Sequence, residues 1–153
     1  MTLLLAFLIG IFAGLRSLTA PATVAWAVHL GWLKLEGPLS FIGSLPSVVI
    51  LTLLAVAELV GDKLSKTPSR TAPLGLIARL VTGGVSGACI TFAGGQGAFP
   101  GALLGALGGV AGCFGGFKAR RSLVKALSTP DIYVALFEDL VAVAGCLWIV
   151  SRF

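Results

Sequence analysis

The chain has 153 residues, of which 57% are hydrophobic and only 11% charged, and its mean hydropathy is +1.03. Soluble domains carry about 25% charged residues, so this composition excludes a water-soluble globule and points to one transmembrane domain over residues 1–153. The net charge of +5 then reads as loop charge beside a membrane, and no nucleic-acid partner is expected.

In chain order, the first predicted span covers about residues 3–32. It has no basic region before its apolar run, so it reads as a retained span and not a cleaved leader. About 20 residues suffice to cross a bilayer, and this segment is longer, with Arg16, Ser17 and Thr19 in its middle and Pro21 just beyond. The excess fits a steep tilt, a kink at Pro21, or two half-helices meeting at Arg16. Residues 33–44 carry Gly, Pro and two charges and form a loop.

The second span is residues 45–61, with Pro46 in the first turn, where its missing N–H is not needed. It runs into the longest polar interval of the chain, Glu58 to Thr71. Glu58, Asp62 and Lys66 are spaced by four and share one helix face. Pro68 then ends the helix, and Lys63, Lys66 and Arg70 make the loop basic. The third span, 74–93, carries Arg79 near its start, placed to snorkel toward an interface.

A short uncharged turn leads into the fourth span, 101–117, a ladder of glycines: Gly101, Gly105 and Gly109 in one register, Gly108, Gly112 and Gly116 in another. Small residues every four positions let helix backbones approach closely, against Gly83 and Gly87 of span three or between protomers. The basic segment Lys118 to Lys125 follows, then the breaker Ser128-Thr129-Pro130, then the fifth span, 131–150, with Glu138 and Asp139 embedded in it. All three cysteines, Cys89, Cys113 and Cys146, lie in apolar spans without ligand spacing, so neither metal nor cofactor is expected.

Five alternating spans make an all-α polytopic protein and put both basic loops on the side of the amino terminus. Seven basic residues there face two, Lys34 and Arg152, on the other side. The positive-inside rule then makes both basic loops cytoplasmic, with the amino terminus inside and the carboxyl terminus outside. Gly10 to Leu18 also matches Gly115 to Leu123 at Gly, Phe, Arg, Ser and Leu. If spans one and two correspond to four and five, the architecture is a 2+1+2 inverted repeat, a plan common in transporters.

Arg16 carries the functional expectation. A central arginine costs ~2.5–3.5 kcal/mol on insertion scales, so it needs a carboxylate or a wet cavity. Glu138 is the first choice of partner and Glu58 the second, giving a charged intramembrane site of Arg16, Glu58, Glu138 and Asp139. His29 is the single histidine, and no nucleophile or paired-aspartate motif is present, so no catalytic residue is assigned and an enzyme is not expected. The expected function is a small transporter or channel. Its rival is a non-transporting membrane subunit or lipid-interacting scaffold whose charges clamp helices together. Partners are then membrane lipids, a second copy of the chain in a homo-oligomer, or a larger membrane complex.

Gly14 to Pro21 (GLRSLTAP) and Ala57 to Thr71 (AELVGDKLSKTPSRT) together resemble the small bacterial membrane proteins filed as domain of unknown function 4126. The resemblance implies an integral membrane protein in bacteria and draws attention to Arg16, Glu58, Asp62, Lys63, Lys66, Pro68 and Arg70, without giving them roles.

Overall fold

A computed structural model describes residues 1–63, 72–128 and 130–153. The loop residues Lys66, Pro68 and Arg70 lie outside these described residues. Among the described residues six α-helices follow one another: α1 Thr2–Leu15, α2 Thr19–His29, α3 Leu45–Gly61, α4 Pro73–Ala93, α5 Ala98–Leu127 and α6 Asp131–Val150, with a 3-10 segment at Gly37–Gly43 before α3. No strand occurs among the described residues. Helices α4, α5 and α6 are long and apolar enough to cross a membrane. The 3-10 segment and α3, bent by 59° to each other, make a fourth if taken as one span, and α1 is a shorter apolar helix.

The boundaries of α3, α4 and α6 fall within a residue of expectation. Helix α5 runs on to Leu127, ten residues past the expected end at 117, and stops at Ser128 in the left-handed region (φ 47°). The basic segment is therefore helical, because nothing from Lys118 to Leu127 interrupts the hydrogen-bond ladder.

For the first span the structure takes the third of the expected readings, two half-helices meeting at Arg16, but with a reversal between them. The stretch 3–32 is two helices folded back on each other, not one crossing. Thr2 bonds Gln96 and touches Gly94, in the α4–α5 turn, so α1 starts at that end of the bundle. Gly10 packs on Gly105 and Gly14 on Gly109 and Gly112, so α1 runs parallel to α5. Arg16 then adopts extended geometry (φ −137°, ψ 108°) and α2 reverses direction. It pairs antiparallel with α3, with Ser17 at Glu58 and Trp26 at Thr52. Just past its far end, Gly31, Trp32 and Lys34 line one cavity with Ala93, Val150 and Phe153. The fold is thus three up–down pairs, α1/α2, α3/α4 and α5/α6, all running in the same sense.

Two sequence expectations fall with this. Met1 and Phe153 lie at one end of the bundle, because α1–α2 adds a reversal that a single span lacks. The repeat is not inverted either, since the matched segments 10–18 and 115–123 point toward the same end. They also differ in conformation: the first breaks at Arg16, whereas α5 continues through Arg121.

The glycines explain why α1 sits where it does. Helix α5 lies between α1 and α4. A Cβ on Gly105 would overlap the Gly83 carbonyl, one on Gly101 the Gly87 carbonyl, and one on Gly108 or Gly112 the backbone of Phe7 or Ile11. The ladder is used within the chain, by two neighbouring helices at once. Backbone contact this close multiplies dispersion contacts between helices that water does not drive together. Buried residues of α1 recur as Leu5/Ala6, Ile9/Gly10 and Ala13/Gly14, one stripe four residues apart. Helix α2 is buried nearly all round, from Thr19 through Ala25, which fits its run of Ala and Thr.

Candidate functional site

The reversal at Arg16 gathers most of the charge in the molecule. Of six acidic residues in the chain, Glu58, Asp62, Asp131, Glu138 and Asp139 all lie at this end of the bundle, and only Glu36 does not. Arg16 is 1% exposed. Its Nη1 meets Asp62 Oδ2 at 2.8 Å and its Nε meets Asp139 Oδ1 at 2.5 Å. Asp139 is shared with Lys63, whose Nζ lies 2.8 Å from Oδ2 and also donates to the Leu59 carbonyl. Asp62 is shared with Arg120 at 3.0 Å. Arg120 in turn holds Asp131 through Nε and Nη2 and reaches Glu138 at 3.6 Å.

The expected pairing is corrected on one point and extended on another. Among the described residues, the ion-pair partners of Arg16 are Asp62 and Asp139, and Glu138 faces Arg120 instead. Successive residues on a helix point about 100° apart, so Glu138 and Asp139 cannot share one partner, and α6 turns Asp139 toward the hairpin. Asp62, read from sequence as part of a loop motif, is the bridge between the hairpin tip and α5. Arg120, read as loop charge, is the second hub of the network. Its one sequence signal is Asp131, eleven residues on, across a helix end.

Glu58 does something different from pairing with Arg16. Its Oε1 accepts from the Ser17 N–H at 2.9 Å and the Ser17 hydroxyl at 2.7 Å, and its Oε2 accepts from the Leu18 N–H at 2.8 Å. Both N–H groups lie just before α2, so a carboxylate from α3 sits at the amino end of that helix, where the helix dipole favours negative charge. The carboxyl end of α1 receives the opposite treatment. Arg79, only 6% exposed, donates from Nε to the Gly14 carbonyl at 2.9 Å and from Nη1 to the Gly75 carbonyl. Snorkelling, the sequence expectation, does not describe it. A side chain of complementary sign thus stands at each side of the break, Glu58 from α3 and Arg79 from α4, and each takes up backbone groups that the reversal leaves outside helix hydrogen bonding.

Apart from the Arg16–Asp139 pair, three buried side-chain polar atoms among the described residues make no hydrogen bond. Arg16 Nη2 and Thr19 Oγ1 are buried without a hydrogen bond, on the same tip that Glu58 caps. Ser86 Oγ is the third, on α4. Beside the network, between α5 and α6, lies a cavity of ≈ 140 Å³ lined by apolar side chains with Arg120 and Glu138 in its wall. A second, apolar groove of ≈ 360 Å³ runs between α2, α3 and α4, from Phe41 and Ser47 past Leu51 and Val85 to Pro21. Away from the charges, Cys89 and Cys146 are free thiols in the apolar core, Cys113 is a buried thiol, and His29 Nδ1 bonds the Gly43 carbonyl.

The family model described as Domain of unknown function (DUF4126) matches residues 3–151, and the chain belongs to that family. No curated protein and no solved structure matches it.

Proposed function

We propose that this member of the DUF4126 family is a small transporter or channel of a bacterial cytoplasmic membrane, with its site at the tip of the α1–α2 hairpin. The observation that supports the reading is the hairpin itself. Two half-helix ends meet inside the bundle at a buried arginine, next to five of the six acids. Discontinuous helices with paired charges at their ends are how transporters present backbone dipoles to a solute. On this reading α3 to α6 cross the membrane, α1–α2 enters and leaves from one side, and both basic segments face the cytoplasm. The termini then both lie outside. The chain is assigned no catalytic step and no nucleic-acid partner; lipids surround it, and homo-oligomer formation would use faces other than the glycine ladder.

A second reading, a non-transporting subunit or scaffold, is favoured by a different observation. The ion pairs are mutually closed, and the cavity beside them is lined mostly by apolar side chains. Reconstitution into liposomes separates the two. Transport predicts flux of a small ion that Arg16→Leu abolishes while the variant stays folded. Absence of flux across a panel of inorganic ions, carboxylates and amines would leave the scaffold.

A further inference from the structure

We infer that the outward face of α5 binds an anionic phospholipid, with the phosphate held by Lys118, Arg121 and Lys125 and an acyl chain lying on Leu107 and Phe114. The inference goes beyond transport and depends only on α5 crossing the membrane. Leu103, Leu107, Phe114, Lys118, Arg121 and Lys125 follow one another at steps of four, seven, four, three and four residues. Such steps keep to one stripe of a helix, and α5 is continuous through all of them. Every residue of the stripe is exposed. The opposite face of α5 is the glycine face, with Gly101 and Gly105 against α4 and Gly108 and Gly112 against α1, so the stripe looks away from the bundle. Arg120 is about 100° round the helix from Arg121 and is the cation that turns inward, to Asp62, Asp131 and Glu138.

Charge and depth together name the occupant. Among the described residues, Lys118, Arg121 and Lys125 make no ion pair. The acids at this end of the bundle are engaged elsewhere: Asp62 and Asp139 by Arg16, Asp131 and Glu138 by Arg120, and Glu58 by the backbone at Ser17 and Leu18. The stripe is therefore cationic without internal compensation. At 1.5 Å per residue, Lys118 and Lys125 stand roughly 30 and 40 Å along α5 from Ala98. A bilayer has a hydrocarbon core of about 30 Å within about 40–45 Å of total thickness, so the three cations lie at headgroup depth and the apolar part of the stripe lies beside the chains. Basic residues there attract anionic headgroups. A second copy of the chain is disfavoured on this face, because in the same membrane orientation it would set like charges against one another.

The test titrates phosphatidylglycerol or phosphatidylcholine onto the full chain in neutral detergent and counts bound lipid by native mass spectrometry. Phosphatidylglycerol should bind saturably, with an apparent Kd about tenfold or more below that of phosphatidylcholine. Each cation near an anionic headgroup contributes about fivefold, so Lys118→Gln with Arg121→Gln should weaken phosphatidylglycerol by roughly twenty-fivefold and leave phosphatidylcholine unchanged. Lys34→Gln with Arg152→Gln removes the same charge at the other end of the bundle and should change neither. Phe114→Ala should weaken both lipids, because it removes chain contact and not charge. All these positions are exposed, and a thermal melt of each variant checks that it is folded. Three results overturn the inference: equal affinity of the wild type for the two lipids, equal losses in the two double variants, which would mean diffuse net charge and no site, or inorganic phosphate displacing the lipid at equal concentration, which would make this a site for a free anion.

Discussion

Removing Arg16 and Asp139 together separates the observed pairing from the one expected at first sight. Breaking one side of a buried pair costs ~3–5 kcal/mol because an orphan charge remains. Here the network blunts that figure. After Arg16→Leu, Asp62 keeps Arg120 at 3.0 Å and Asp139 keeps Lys63 at 2.8 Å, so neither acid is stranded. After Asp139→Leu, Arg16 keeps Asp62. Each single variant is therefore expected near the low end, ~3 kcal/mol. Contacting residues in one ion-pair network couple by ~0.5–3 kcal/mol. With Arg16 only 1% exposed, the Arg16–Asp139 coupling belongs in the upper half of that range, so the double variant should lose roughly 4 kcal/mol where the singles sum to roughly 6. Arg16→Leu with Glu138→Leu should instead be close to additive, since Glu138 faces Arg120. Equilibrium unfolding in mixed micelles measures all of these. A larger coupling for Arg16–Glu138 than for Arg16–Asp139 would refute the geometry.

Gly105→Ala should sharply lower folded yield and melting temperature, because the new methyl meets the Gly83 carbonyl backbone, which cannot step aside; Gly115→Ala meets nothing and should be neutral or gain up to about 1 kcal/mol. Comparing the two on a sizing column and a thermal ramp checks it, and equal behaviour would mean α5 does not sit between α1 and α4. In a background lacking Cys89, Cys113 and Cys146, an impermeant thiol reagent on intact cells should label Thr2→Cys and Arg152→Cys but not Lys118→Cys. Labelling of Lys118→Cys alone would invert the proposed orientation, and labelling of only one of the other two would contradict the hairpin.

Much of the architecture is legible in local sequence. Pro46, Pro73 and the Gly94–Gly97 turn mark helix ends that hydropathy alone would blur, and α3, α4 and α6 follow. Glu58 and Asp62, four apart, do share a face, and that face does turn into the bundle. The reversal at Arg16 is different in kind. Thirty apolar residues with a polar middle read alike whether the chain kinks or doubles back, because what decides is non-local: Glu58 on the Leu18 N–H, Arg79 on the Gly14 carbonyl, and α5 glycines against α1. The sign of each partner could have been anticipated from the dipoles of two half-helices, but not which arginine or glutamate would supply it. Arg120 was hidden for a related reason: a basic run past a span reads as loop until the helix is seen to continue.

The network also fixes an order of events. Arg16 leaves the ribosome early, yet its two carboxylates belong to α3 and α6, and the glycine seat of α1 belongs to α5. Between residues 16 and 139 lie 123 positions, which at ~5–20 residues per second is roughly 6–25 s of synthesis. Through all of that interval Arg16 lacks Asp139, and until residue 112 has been made α1 lacks the full glycine face of α5. The part of the chain made first therefore completes its contacts only once α5 and α6 have been made.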